Sequence, residues 1–247
     1  TIFEAEPKEP GEVAIYTGHT WWIAKADADT QAQVCARLLE SAGITTTIFS
    51  AREEAQDLAD WVSAATDNGR VDVLILFGTL PQELYGGNVE EPDNSVIELF
   101  IESEDGDAVI NHADWMFYDQ GRNGPGGLQN IMDIPDIVFG TDNTPMTVTE
   151  EGRAIAPHLE DFLSDRPLNL NQLAGDWLVE AVLAESADGT QADPVIVRDG
   201  NRGRLIPVYQ TSRQDDPKGI VAAEIITWLM GKELKPVQPS LLLRGSS

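Results

Sequence analysis

Apolar runs alternate with helical patterns along the first part of this chain, and the alternation predicts a layered α/β fold. The predicted strands are residues 13–16, 44–49, 71–77, 107–112 and 136–139, and the predicted helices are 27–42, 52–66 and 95–104. Residues 71–77 are almost continuously apolar, which is typical of a parallel strand covered on both faces. The pattern therefore favours a flavodoxin-like, doubly wound and mostly parallel sheet flanked by helices.

The second half of the chain has a different pattern, with short strands and few long helices. Strands are predicted within 177–185 and at 194–198 and 204–209, and a turn at 201–203 joins the last two as an antiparallel hairpin. A closing helix is predicted over 217–230. Residues 12–231 are thus interpreted as a single α/β domain, with a Pro-rich linker at 1–11 and a C-terminal tail or linker at 232–247.

Charge and hydropathy restrict the classes of partner that the protein is expected to bind. The chain of 247 residues has 42 acidic and 16 basic residues, for a net charge of -26. A field of this sign repels phosphate backbones, so nucleic-acid binding is not expected. No apolar run approaches the roughly 18 to 20 residues that span a bilayer, so membrane insertion is not expected either. The acidity fits a solubilising surface, adaptation to salt, or capture of cations, and the sequence leaves these alternatives open.

The chain has one cysteine, Cys35, so it cannot form an intramolecular disulfide. Cys35 lies in an amphipathic helical stretch, which favours a small buried residue over a reactive thiol. One cysteine fits the cytoplasm and an extracellular domain alike. The linker-like ends favour an extracellular or periplasmic module of a larger protein.

Several short motifs follow one another in an order that resembles a known group of proteins. They are 16–19 (Tyr-Thr-Gly-His), 77–79 (Phe-Gly-Thr), 111–113 (Asn-His-Ala), 149–157, and the pair 195–198 and 203–208. This order resembles the class I glutamine amidotransferase-like superfamily, and within it the ThuA-like (trehalose utilisation) branch. The resemblance covers most of residues 12–231 and implies the flavodoxin-like fold.

Two departures from the family pattern bear on function. A glutamine amidotransferase needs a cysteine at the sharp turn after the fourth strand. Here that turn carries Asn111 and His112, while Cys35 lies elsewhere. ThuA-like members often carry a Gly-His-Asp type sequence after the late strand, where this chain has 209–215 (Tyr-Gln-Thr-Ser-Arg-Gln-Asp). Glutamine amidotransferase activity is therefore not expected.

A candidate site follows from the strand order, because ligands of open α/β sheets bind outside the carboxyl ends of the strands. The first, third and fourth strands would bring His19, Thr79 and His112 into one crevice. His112, His19 and Asp114 are the catalytic candidates. The candidate ligand-binding residues combine amide, hydroxyl and carboxylate groups with aromatic faces, which suits a polyhydroxylated ligand: Trp21, Trp22, Thr79, Glu83, Tyr85, Asn111 and Trp115.

Two hypotheses of function remain. In the first, a non-catalytic or degenerate amidotransferase-like domain binds a carbohydrate, a polyol or a protein partner such as a neighbouring domain. In the second, an enzyme, for example a hydrolase, acts on a sugar-like substrate through a His/Asp site.

Metal and phosphate sites have weaker support. No cofactor is expected, and the alternative is a divalent metal held by the two histidines with Asp114 or Asp215. No HxH or HExxH spacing supports that alternative. Residues 124–127 (Gly-Pro-Gly-Gly) are expected to form a flexible loop over the pocket rim rather than a phosphate cradle.

Overall fold

A seven-stranded sheet forms the centre of the computed structural model, which describes residues 11–86, 94–112, 124–138, 140 and 143–234. Strand β11 is antiparallel to both its neighbours, and the parallel strands lie in the flavodoxin-like order, which confirms the predicted fold class. In spatial order the strands are β2 (Thr46–Phe49), β1 (Val13–Tyr16), β3 (Val73–Leu76), β4 (Ala108–Asn111), β12 (Arg204–Pro207), β11 (Val195–Asp199) and β8 (Trp177–Val182).

Side chains alternate along the central strands between two apolar cores, one on each face of the sheet. In β1, Val13 and Ile15 enter one core while Ala14 and Tyr16 enter the other. Helices α1 (Lys25–Ser41) and α7 (Lys218–Leu229) pack together over the first face. The second face is covered by α2 (Ala55–Ala65), α3 (Gln82–Tyr85), α4 (Val96–Ile101) and α5 (Gly124–Met132).

A smaller sheet of five strands lies within the chain segment that connects β4 to β12, and the sequence pattern did not predict it. Several of its strands have only two or three residues, too few to show an alternation. Helix α6 (Glu150–Ile155) belongs to the same segment. In spatial order the strands are β6 (Phe162–Ser164), β5 (Thr144–Val148), β9 (Ala184–Glu185), β10 (Gln191–Ala192) and β7 (Leu168–Asn169).

Two local predictions were wrong. Residues 136–138 of the predicted fifth strand are not a strand. A turn over residues 134–137 takes its place, in which Asp136 has a left-handed backbone (φ 65°) and Ile137 N–H donates to the Ile134 carbonyl. The last residue of that prediction, at 139, lies outside the described residues. The Gly-rich stretch expected to be a loop forms the first turn of α5. Among the described residues, no helix is long and apolar enough to cross a membrane.

Candidate functional site

His19 and Thr79 meet at the edge where the parallel strands end, here called the carboxyl edge. They follow β1 and β3, which are neighbours in the sheet. Thr79 Oγ1 lies 2.7 Å from His19 Nδ1, and Thr79 N–H donates to the His19 carbonyl. Gly78 permits this approach, because a Cβ there would lie 2.2 Å from the His19 carbonyl oxygen.

His112 follows β4 at the same edge and is fully buried. Its Nδ1 lies 2.7 Å from the Val208 carbonyl oxygen, and since a carbonyl only accepts, Nδ1 carries the proton. Nε2 is therefore an acceptor, and it has no hydrogen-bond partner among the described residues. Burial, and secondly the charge of Lys218, lower the pKa of His112 to about 3, so the ring is neutral.

The tripeptide 77–79 lies between the two histidines. The Phe77 ring packs on the His112 ring, with centroids 4.5 Å apart, while Gly78 and Thr79 contact His19. The carboxyl edge thus gathers the side chains that follow β1, β3 and β4, as the strand order predicts.

A buried polar network extends the site toward the segment after β12. Gln210 Nε2 donates to the Asn111 carbonyl (2.6 Å), and Gln210 N–H donates to Asp193 Oδ2 (2.8 Å). The hydroxyl of Ser164 donates to the same carboxylate oxygen at 2.6 Å. Burial raises the pKa of Asp193 to about 6, against the opposing effect of these hydrogen bonds.

Lys218 is the buried cation of this region, and with Thr211 and Asp216 it forms what we call the inner cluster. Its Nζ donates to the Tyr209 carbonyl (3.1 Å), to Thr211 Oγ1 (2.8 Å) and to Asp216 Oδ2 (3.3 Å). The Thr211 hydroxyl also hydrogen-bonds to Asp216 Oδ2. Burial lowers the pKa of Lys218 to about 8, although the Asp216 carboxylate acts in the opposite direction.

A second set of the same three residue types lies after β1 and forms the outer cluster: Thr17, Lys25 and Asp29. Thr17 Oγ1 donates to Asp29 Oδ1 at 2.6 Å, and Lys25 Nζ lies 2.6 and 2.7 Å from the two carboxylate oxygens. The side chains of Lys25 and Asp29 are 44% and 33% exposed.

The remaining predicted site residues have different environments. Trp21 is exposed, Trp22 packs partly against the core, and Glu83 is exposed. Tyr85 belongs to the apolar core, with its hydroxyl accepting from Asn130 Nδ2 at 2.8 Å. Asn111 is fully buried within the network. Asp114 and Trp115 lie outside the described residues.

The sequence prediction missed Ser164, Asp193, Gln210, Thr211 and Lys218, which supply most of the network. They come from segments far apart in the chain, so no local spacing joins them. One signal was present in the sequence: Lys218 begins a helix whose other residues are mostly apolar. A lysine at such a position requires acceptors, because an unpaired buried charge is costly.

Cys35 lies in the interior of α1 and is fully buried. Burial raises the pKa of its thiol, which disfavours the reactive thiolate. In the described ranges, no group of three His, Cys, Asp or Glu side chains is arranged to hold a metal ion. The predicted alternative, a metal held by the two histidines, uses the carboxylate of Asp114 or Asp215. Asp114 lies outside the described ranges.

An acidic cleft of about 380 Å³ lies at the opposite edge of the sheet, before β4 and β12. It is lined by Glu104, Asp176, 199–201 and Arg202. The cleft is separate from the polar network, which lies where β4 and β12 end.

The fold and the site together define an α/β protein of the flavodoxin-like class with a polar site at the carboxyl edge of its sheet. No protein-family model and no curated protein matches the chain. A solved structure from Bacteroides uniformis, assigned provisionally as ThuA-like, matches with a TM-score of 0.54 at 12% identity. The match covers 90% of this chain and 92% of that one, and it shows that the two share a fold.

Proposed function

We propose that this chain is a ThuA-like domain that binds a small, uncharged polyhydroxylated ligand, a carbohydrate or polyol, at the carboxyl edge. The observation that carries the proposal is His112 Nε2, a buried acceptor with no partner among the described residues. Leaving such an atom unpaired costs about 1–3 kcal/mol. A ligand hydroxyl can donate to it and recover that cost.

The neighbouring network supports a ligand rich in hydrogen-bond donors. Asp193 Oδ1 and Gln210 Oε1 are also buried without partners among the described residues, and both atoms are acceptors. Hydroxyl groups can donate to all three atoms, whereas phosphate and carboxylate ligands offer acceptors. The net charge of -26 also disfavours anionic ligands, because it repels them.

Trp21 lies shortly after β1 in the chain and is 56% exposed, so its ring offers a surface for the apolar face of such a ligand. Aromatic rings commonly cover the apolar side of a ligand while polar groups fix its orientation. No cysteine nucleophile takes part in the proposed function, because Cys35 is buried in α1.

Calorimetric titration with glucose, trehalose, myo-inositol and glucose 6-phosphate tests the proposal. At least one neutral polyol should bind saturably, with glucose 6-phosphate binding more weakly. His112→Phe keeps an aromatic ring against Phe77 but removes Nε2, and we expect roughly tenfold weaker binding, which corresponds to about 1.4 kcal/mol.

His158→Gln is the matched control, because the His158 side chain is 58% exposed and pairs with Glu224. It should bind like the wild type. Absence of saturable binding by every neutral polyol, or full affinity in folded His112→Phe, contradicts the proposal.

An enzyme acting on a sugar-like substrate is the second candidate, and two pKa values favour it. Asp193 (pKa about 6) and Lys218 (pKa about 8) change protonation on either side of neutrality, as acid–base groups do. Asp193, which is ionised above about pH 6, would be the base, while His112 with its low pKa would accept a substrate hydrogen bond at Nε2. Product formation from disaccharides and aryl glycosides, followed by NMR and lost in His112→Phe and Asp193→Asn, distinguishes catalysis from binding alone.

A further inference from the structure

We propose that Lys218 is a positioning residue of this site: it anchors the segment after β12 so that the Val208 carbonyl fixes the His112 ring with Nε2 as acceptor. The inference deepens the proposed function and rests on it for the role of Nε2 in ligand binding. The tautomer itself is a property of the protein without ligand.

The hydrogen bonds of Lys218 identify it as an anchor. An ammonium group has three N–H donors, and the three acceptors of Nζ are the Tyr209 carbonyl, Thr211 Oγ1 and Asp216 Oδ2. All three acceptors belong to the segment between β12 and α7. With its donors occupied in this way, Lys218 links the start of that segment to its end.

The same segment contacts the His112 strand. Val208, whose carbonyl accepts from His112 Nδ1, directly precedes Tyr209. Gln210 donates to the carbonyl of Asn111, the residue before His112. Residues 208–211 therefore connect Lys218 to His112 through consecutive peptide groups.

One residue of this segment has an unfavourable backbone conformation that Lys218 stabilises. Tyr209 has a left-handed conformation (φ 49°), which is unfavourable for a residue with a side chain. The contacts of Lys218 with the Tyr209 carbonyl and with the ring, whose centroid is 5.5 Å from Nζ, stabilise it there. The charge of Lys218 also disfavours a protonated His112, which adds to the larger effect of burial.

Nitrogen-15 NMR of the histidine rings tests the inference in protein without ligand. The chain has only three histidines, so His112→Phe assigns the signals. Wild-type protein should show a protonated Nδ1 and an unprotonated Nε2 for His112. Thr211→Val and Asp216→Ala should move the two signals toward a tautomer average, and Lys218→Met should do so most strongly.

The outer cluster provides the matched controls Thr17→Val, Asp29→Ala and Lys25→Met, which should leave the His112 signals unchanged. Calorimetry with glucose and myo-inositol gives the second readout, in which Thr211→Val should lose several-fold in affinity while Thr17→Val does not. Unchanged His112 signals in folded Thr211→Val and Asp216→Ala would overturn the inference even if Lys218→Met fails to fold. If the signals shift but no polyol binds the wild type, the positioning role stands and the proposed function fails.

Discussion

The inner and outer clusters use the same three residue types at the same edge of the sheet, in different environments. In the outer cluster, water reaches both the ammonium of Lys25 and the carboxylate of Asp29. In the inner cluster, the side chains of Lys218 and Asp216 are 2% and 13% exposed. The outer lysine donates to one carboxylate, whereas the inner one also needs a backbone carbonyl and a hydroxyl.

The difference shows that residue types alone do not determine what such a cluster does. An exposed ion pair gains little, because water competes for both charges and salt screens them. A buried ion loses its hydration and must be surrounded by protein acceptors. The inner cluster therefore fixes the backbone around it, which is the property that a ligand site needs.

The largest expected effect is on stability. Lys218→Met removes the cationic partner of the nearly buried Asp216 carboxylate, and we expect the free energy of unfolding to fall by about 3–5 kcal/mol. Lys25→Met should change it by less than about 1 kcal/mol. Urea unfolding followed by circular dichroism measures both values, and equal losses in the two variants would refute the distinction between the clusters.

The next effect is the pH dependence of the inner cluster. The pKa of Lys218 in the folded protein, about 8, is below its ordinary value. The unfolded state therefore binds more protons between about pH 8 and pH 10, so the Lys218 contribution to stability increases as pH rises through this window.

The change amounts to about 3 kcal/mol at most. The wild type should accordingly gain stability relative to Lys218→Met from pH 7 to pH 10. A carbon-13 titration of the Lys218 side chain should show its midpoint near 8, and a midpoint above 10 would contradict the buried environment.

The smallest effect concerns the outer cluster and salt. The loss in Lys25→Met, about 0.5 kcal/mol at low ionic strength, should vanish near 1 M salt, where the Debye length is about 3 Å. The loss in Lys218→Met should persist there, because buried charges are poorly screened. Unfolding curves of the wild type, Lys25→Met and Lys218→Met at low and high sodium chloride give the comparison. A loss of stability in Lys25→Met that persists at high salt would contradict the prediction.

The sequence allowed prediction of the central sheet, because its strands are covered on both faces and stand out as apolar runs. Strands β1, β3 and β4 and helix α7 lie within or close to their predicted bounds. The contact of His19 with Thr79 follows from strand order alone, since parallel strands bring their carboxyl ends to one edge.

The polar network could not be predicted in this way. Ser164 ends a strand of three residues, Asp193 lies between two short strands, and Lys218 begins a helix. Each belongs to a segment with an ordinary local pattern, and only the tertiary fold brings them together. The wrong strand prediction over 136–138 has a related cause, because Ile137 is buried in the core but reaches it from a turn.

The pairing of β4 with β12 has a consequence for how the protein folds. His112 and Val208, whose hydrogen bond fixes the ring, are 96 residues apart in the chain. Closing so long a loop is entropically costly, and contacts of this separation form slowly. The carboxyl edge is therefore expected to be completed late, after the local helices and hairpin, and the buried surroundings of His112 form only once the central sheet has closed.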